Sequence, residues 1–348
     1  MRGILNSGLQ ERRTPVRAWA APALIIVSTE YVVALLIGLR AGFHYSIPFE
    51  AYAVIGLTIV GLAAAAMIVV RLTVYFRHGE RSPTRRLLRE AHYFSGFAAG
   101  ALLVALQISV LTWTKVMLPI AEPFWADPLL ASVDRSLFGN EPWVLAHRAF
   151  EWASPFLDLA YVTWAPVKFA TFLIVLISPE SERKARALVS YFIMLAAVAF
   201  GQYLLSSAGP VFYAQFGFGS RFAALPIEPW VETTRAYLWH DYLKAGGDIG
   251  GGISAMPSLH VAAALWVALV WNGFDRRLGL IGFSYFGLIA IGSVFLGWHY
   301  AVDGIVGAGI VLLAWAVAPK IARRFGKGTA DALNGGRLLR NNGSGSTI

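Results

Sequence analysis

GLIGFSYFGLIAIGSVFLGWHYAVDGIVGAGIVLLAWAVA, residues 279–318, carries one formally charged side chain, Asp303, in forty positions. A hydrocarbon layer about 30 Å thick takes roughly 20 apolar residues of helix to cross. The stretch therefore reads as two crossings, 279–297 and 299–318. Almost nothing separates them, so a tight turn must reverse the chain at a membrane surface, and His299 lies in that turn. Working outward, the same criterion finds spans at about 22–42, 51–74, 94–117, 157–177, 187–206 and 256–272. The expectation is an all-α integral membrane protein of eight transmembrane helices. Composition agrees: 57% of the 348 residues are hydrophobic and 14% charged, too few to clothe a soluble globule.

Lys and Arg favour the cytoplasmic side of a membrane. Most of the 29 fall in one alternate set of connections: the N-terminus (Arg2, Arg12, Arg13, Arg17), the second connection (Arg71, Arg77, Arg81, Arg85, Arg86, Arg89), the fourth (Arg183, Lys184, Arg186), the sixth (Arg276, Arg277) and the C-terminal tail (Lys320, Arg323, Arg324, Lys327, Arg337, Arg340). Both termini are thus expected in the cytoplasm. The long loops 118–156 and 207–253, and the histidines discussed below, are expected on the opposite face. Ala- and Gly-rich spans with short loops point to a bacterial inner membrane with a periplasmic site, and an endomembrane with a lumenal site satisfies the same charge rule. The net charge of +9 sits where anionic lipid attracts it and calls for no nucleic-acid partner.

The chain contains no cysteine, which excludes disulfides and thiolate metal sites. Its charged N-terminal arm runs into a span too long for a cleavable signal core. Three regions are expected: two leading spans (1–92), a six-helix core (93–319) holding every chemical motif, and a disordered tail (320–348). Loop 118–156, with Pro119, Pro123, Trp125, Pro128, Pro142 and Trp143, reads as an interfacial element.

Chemistry concentrates in two segments. In Ser254-Ala255-Met256-Pro257-Ser258-Leu259-His260, Pro257 suits the first position of a helix and places His260 in its first turn. Free N–H groups at Ser258, Leu259 and His260 would then make an anion site, with the glycine-rich 246–252 curling around a phosphate. In Gly297-Trp298-His299-Tyr300-Ala301-Val302-Asp303, the four-residue spacing puts a carboxylate beside an imidazole. Such a carboxylate orients a nucleophilic histidine and stabilises its cation. Among other polar residues, Lys168 lies within a span, where a lipid-facing charge is costly. It either snorkels or faces the site as a phosphate cation. Arg221 is the preferred additional phosphate ligand, with Lys244 and Tyr213 in or beside the same loop. His44, His78, His92, His147 and His240 read as interfacial or loop residues. No metal site and no cofactor are expected.

Met256-Pro257-Ser258-Leu259-His260 and the run from Gly292 to Asp303 resemble the second and third signatures, Pro-Ser-Gly-His and Ser-Arg-x5-His-x3-Asp, of the type-2 phosphatidic acid phosphatase superfamily. The resemblance covers about residues 95–318. It implies that His299 is a nucleophile forming a phosphohistidine, Asp303 its orienting partner, and His260 the general acid. It also implies metal-independent chemistry. The third signature has its arginine where this chain has Ser293, and Gln202 through Gly209-Pro210 stands where Lys-x6-Arg-Pro is expected, so the phosphate-binding cations of the family are replaced. A dianionic monoester recruits such cations and a phosphodiester needs fewer.

These replacements, Leu259 and the segment Ser206 to Tyr213, with Asp127, Asp134 and Pro142-Trp143, resemble the inositol phosphorylceramide synthase, or aureobasidin-resistance, branch. That likeness implies transfer of a phosphoalcohol headgroup from a glycerophospholipid to a lipid hydroxyl, with Ser258, Leu259, Gly209, Tyr213, Lys168 and Arg221 as substrate-binding candidates. Membrane lipids would be donor and acceptor. Hydrolysis of a lipid phosphate or polyprenyl pyrophosphate is the alternative, and a non-enzymatic lipid transporter on the same scaffold is the third reading.

Overall fold

The computed structural model describes residues 14–42, 49–89, 91–244, 248 and 250–327. Arg2, Arg12, Arg13, His44, Gly246, Gly247 and everything beyond Lys327 lie outside the described residues. Thirteen helices are described: α1 (Arg17–Arg40), α2 (Phe49–Arg77), α3 (Pro83–Arg89), α4 (Ala91–Ala121), α5 (Asp127–Phe138), α6 (Pro142–Phe150), α7 (Ser154–Tyr161), α8 (Trp164–Ile177), α9 (Glu182–Gly201), α10 (Pro229–Leu243), α11 (Leu259–Phe274), α12 (Arg276–Phe295) and α13 (Ala301–Lys327). No strand occurs among the described residues. A helix satisfies its own backbone polar groups within one segment, which is what an apolar solvent demands.

Five helices, α1, α4 from Gly96 onward, α9, α12 and α13, are long and apolar enough to cross a membrane. The chain is an integral membrane protein. A sixth candidate span is bent by 46° where Pro142–Tyr161 meets Trp164–Ile177, so the expected straight span at 157–177 is broken at Val162 and Thr163. The expected eight crossings also require α2 and the sixteen-residue α11, which are not among those five or six. The last helix runs on to Lys327 and takes in the first eight residues of the expected tail. Loop 118–156 is helical, built from α5, α6 and α7, and α10 lies inside 207–253.

Trp19, Phe172, Tyr191, Phe192 and Trp266 are fully buried where α1, α4, α8, α9, α11 and α13 meet. Gln107 on α4 donates to both the Glu30 carboxylate on α1 and the Phe192 carbonyl on α9, each at 2.9 Å. The Trp19 indole donates to Glu180 at 3.1 Å, and Arg17 to the Gly326 carbonyl at 3.1 Å. The first helix is therefore part of the central core, and the boundary expected at residue 92 does not separate it. Helices α11 and α12 form an antiparallel hairpin turned at Asp275, whose carboxylate caps α12 through Arg277 N–H at 2.7 Å. Next to that hairpin, α13 approaches the start of α11 closely. A Cβ on Gly307 would lie 2.5 Å from the Ser258 carbonyl oxygen, so only glycine permits this packing. The approach brings the two histidine segments together.

Candidate active site

Ser258 is the N-cap of α11, its hydroxyl accepting from Val261 N–H at 3.3 Å. The helix starts at Leu259, two residues later than a start at Pro257, because a serine hydroxyl satisfies an orphan amide that proline cannot. The Ser258 N–H is not free: it donates to the Asp303 carbonyl at 3.0 Å and stitches α11 to α13. The amides of Leu259 and His260 have no acceptor among the described residues. His260 is the second residue of α11, stacked on Tyr161 (ring centroids 5.0 Å apart) and tilted against Trp164 (4.3 Å).

His299 lies in the turn between α12 and α13, its N–H donating to the Ser293 carbonyl at 3.1 Å. Gly297 makes the reversal with φ +70°. His299 Nε2 and His260 Nδ1 share a hydrogen bond of 2.9 Å. On its other side, His299 Nδ1 is 3.4 Å from Asp303 Oδ2. This pairing is not made along one helix face, since α13 begins at Ala301. Asp303 is its third residue, and its Oδ2 reaches back to accept from Tyr300 N–H at 3.0 Å, half of a capping box. His299 and Asp303 are both buried.

Two aspartates of the preceding loop hold this turn. Asp134 accepts from Ala301 N–H at 2.7 Å and Val302 N–H at 3.0 Å, occupying the N-terminus of α13. Asp127 accepts from Ala208 N–H (2.9 Å), Gly209 N–H (2.8 Å) and the Tyr300 hydroxyl (2.9 Å). Burial pushes both carboxyls above their usual value, and these hydrogen bonds oppose the rise. Gly209 has φ +96°, and a Cβ there would lie 2.5 Å from the Trp298 carbonyl oxygen.

The array opens on a cavity of about 270 Å³ lined by His260, His299, Lys115, Gln202, Tyr161, Trp164, Phe212, Trp230 and Trp298 among others. The Gln202 Nε2 and the Tyr161 hydroxyl are buried there without a hydrogen-bond partner among the described residues. Leu259 lines this cavity and also an adjoining apolar one of about 400 Å³, where Lys168 sits. Lys168 is 3% exposed, so it does not face lipid.

The other expected ligands are elsewhere. Arg221 is committed to Glu141 (3.0 and 2.8 Å) and the Ala131 carbonyl (2.8 Å) and does not line the cavity that holds His260 and His299. Tyr213 packs against Phe218 and Phe222 and does not line the cavity. The Ser258 hydroxyl accepts from Val261 N–H as the helix cap, and the Gly209 N–H is spent on Asp127. In the described part of the glycine-rich loop, Gly252 N–H donates to Asp241 at 2.9 Å, so a carboxylate takes the place assigned to a phosphate. Lys244 pairs with Asp248 at 2.8 Å, and His147 meets the Phe295 carbonyl at 2.9 Å. Lys115 was not singled out from the sequence, although the signal that marks Lys168, a cation within an apolar span, marks it equally.

The fold and the site together define a membrane-embedded helical protein with a histidine pair and a buried aspartate converging at one end of its bundle. A family model described as the PAP2 superfamily matches residues 128–317, more than half of the chain, and the chain belongs to that superfamily. Membership suggests a phosphatase or phosphotransferase acting on lipids. No curated protein and no solved structure matches it.

Proposed function

We propose that this protein is a membrane lipid phosphotransferase that moves a phosphoalcohol headgroup from a glycerophospholipid to a lipid hydroxyl through a phosphohistidine on His299. The observation that carries the reading is the line Asp303, His299, His260, with contacts of 3.4 and 2.9 Å, opening on a largely apolar cavity. With Asp303 ionised, His299 holds its proton on Nδ1, leaving the Nε2 lone pair free to attack. His260 then carries a proton on Nδ1, beside that lone pair, and enters the reaction as the imidazolium, so that giving up this proton leaves it neutral.

Phosphorus approaching Nε2 displaces this hydrogen bond. The N–P bond forms, the P–O bond to diacylglycerol breaks, and the His260 proton passes to the departing oxygen. An acceptor hydroxyl then gives its proton to His260 while its oxygen attacks phosphorus, and the N–P electron pair returns to Nε2. His260 serves as acid and then as base. Lipid hydrolysis is the second reading, favoured by Lys115 in the cavity wall, since a monoester dianion needs positive charge.

The topology belongs to the same proposal. Counting α2 and α11 with the bent span gives eight crossings, an even number that leaves both termini on the cytoplasmic side and the histidines on the other. A bacterial inner membrane with a periplasmic site suits the short loops.

The test is a two-product assay in mixed micelles. Labelled phosphatidylinositol or phosphatidic acid is supplied with and without ceramide or diacylglycerol, to wild type and His299→Ala. Acceptor-dependent headgroup transfer that vanishes in the variant is expected. Acceptor-independent phosphate release that vanishes would establish hydrolysis, and product formation unchanged by the substitution would overturn both readings.

A further inference from the structure

Two of the positions where the superfamily signatures carry cations are closed here, and the third holds the uncharged Gln202 in the wall of the histidine cavity. Gly209 holds a left-handed backbone against the Trp298 carbonyl, and Ser293 is fully buried with its hydroxyl donating to the Ala290 carbonyl at 2.8 Å. Yet two ammonium groups lie inside the bundle near the histidines. Lys115, on α4, lines both the histidine cavity and the apolar cavity beside it. Lys168, on α8, lines the apolar cavity, its ammonium 4.6 Å from the Trp164 ring centre and 4.3 Å from that of Phe169. Both are within electrostatic reach of His260. Neither ammonium has an ion pair or hydrogen bond among the described residues, although Asp241 is near enough to Lys115 to act on it.

Lys168 is buried and Lys115 partly buried; an unpaired cation within a membrane bundle is costly, and a second of the same sign beside it costs more. An arrangement of this kind persists where an anion is its partner. The apolar cavity, bounded by Ala101, Ala105 and Phe172 and continuous in its lining with the histidine cavity through Leu111, Lys115, Trp164 and Leu259, is shaped for hydrocarbon.

We propose that Lys115 and Lys168 form the phosphate-binding charge of this site, relocated to α4 and α8, and that the hydrocarbon chain of the same phospholipid lies in the cavity between those helices. The inference rests on the catalytic reading above and deepens it by naming how the substrate is held. A phosphate seated at the junction faces His260 and His299 on one side and its own chain on the other. The shared chemistry is a lipid-borne phosphate, whether a diester or a monoester.

Binding is read at equilibrium by native mass spectrometry of the full chain in neutral detergent, in the His299→Ala background. Whether that background retains turnover tests the catalytic reading separately. The ligands are phosphatidylinositol, phosphatidic acid, diacylglycerol with matched chains, and inorganic phosphate. Lys115→Met and Lys168→Met should each weaken both phospholipids about tenfold or more, the scale of a charge-assisted hydrogen bond, and leave diacylglycerol unchanged. The two phospholipid arms separate a diester preference from a monoester preference. Removing an unpaired buried charge is not a folding hazard, and Lys168→Arg, which keeps the charge, should retain most of the affinity. Ala105→Phe, which fills the apolar cavity, should weaken every lipid and spare inorganic phosphate. Methionine variants that bind phospholipid like the parent, or that lose diacylglycerol equally, would overturn the proposal.

Discussion

Replacing Asp134 isolates how the turn bearing His299 is held. The carboxylate is 2% exposed, comes from α5, and accepts from the first two amides of α13 at 2.7 and 3.0 Å. Asp134→Ala strands two buried N–H groups, each costing about 1–3 kcal/mol, so a loss of roughly 2–6 kcal/mol is expected. Asp134→Asn keeps one acceptor oxygen and should lose about half of that, with a further fraction from the favourable charge at the helix N-terminus. The first turn of α13 also carries Tyr300 and Asp303, and the 3.4 Å separation of Asp303 from His299 depends on it. A shift of about 1 Å at a reacting group costs on the order of 100-fold. In Asp134→Asn, kcat should therefore fall about 10- to 100-fold while the KM for donor lipid stays within about twofold, because Asp134 does not line the cavity that contains Lys115. Thermal unfolding in detergent and steady-state transfer in mixed micelles measure the two effects. An Asn variant with wild-type melting and wild-type kcat would refute the positioning role, and a raised KM with unchanged kcat would reassign Asp134 to substrate binding.

Further outcomes follow from the same contacts. Arg221→Met removes a partly exposed pair with Glu141 and should lower stability by about 1 kcal/mol or less, leaving donor KM unchanged; a raised KM would make it a phosphate ligand. Gly209→Ala forces a Cβ onto the Trp298 carbonyl at φ +96° and should cost at least about 1–3 kcal/mol, read as a lower melting temperature. The Asp127 and Asp134 carboxyls lie above the ordinary 3.8. A raised carboxyl binds its proton more tightly folded than unfolded, so its contribution to stability is full below that value and is lost as pH rises through the folded-state value. Melting temperature in Asp127→Asn should accordingly fall less steeply above pH 3.8 than in wild type, and identical slopes would remove Asp127 as the source.

What the sequence discloses and what it withholds divide along physical lines. Hydropathy is local, so the membrane class and the approximate position of the helices are legible, and a His and an Asp four apart must lie close whether or not a helix joins them. Lipid-facing and protein-facing positions, by contrast, draw on the same apolar residues. That is why α1 reads as a leading span although Trp19 is buried at the centre of the bundle. The break in the fourth span at Val162 and Thr163 lies one turn before Pro166, which has no N–H for the Val162 carbonyl, a signal that hydropathy alone passes over. Long-range capping is silent: Asp134 meets its amides 167 and 168 positions away, and Arg221 finds Glu141 80 positions away. A loop cation and a loop carboxylate therefore look alike in sequence whether they bind a ligand or each other. Their partners in the fold separate them. Arg221 is satisfied by its own chain, whereas Lys115 and Lys168 lie within apolar helices without a hydrogen-bonded counterion among the described residues. In a medium where charge is expensive, the unpaired cations are the ones whose cost a bound phosphate would offset, and they lie beside the histidines.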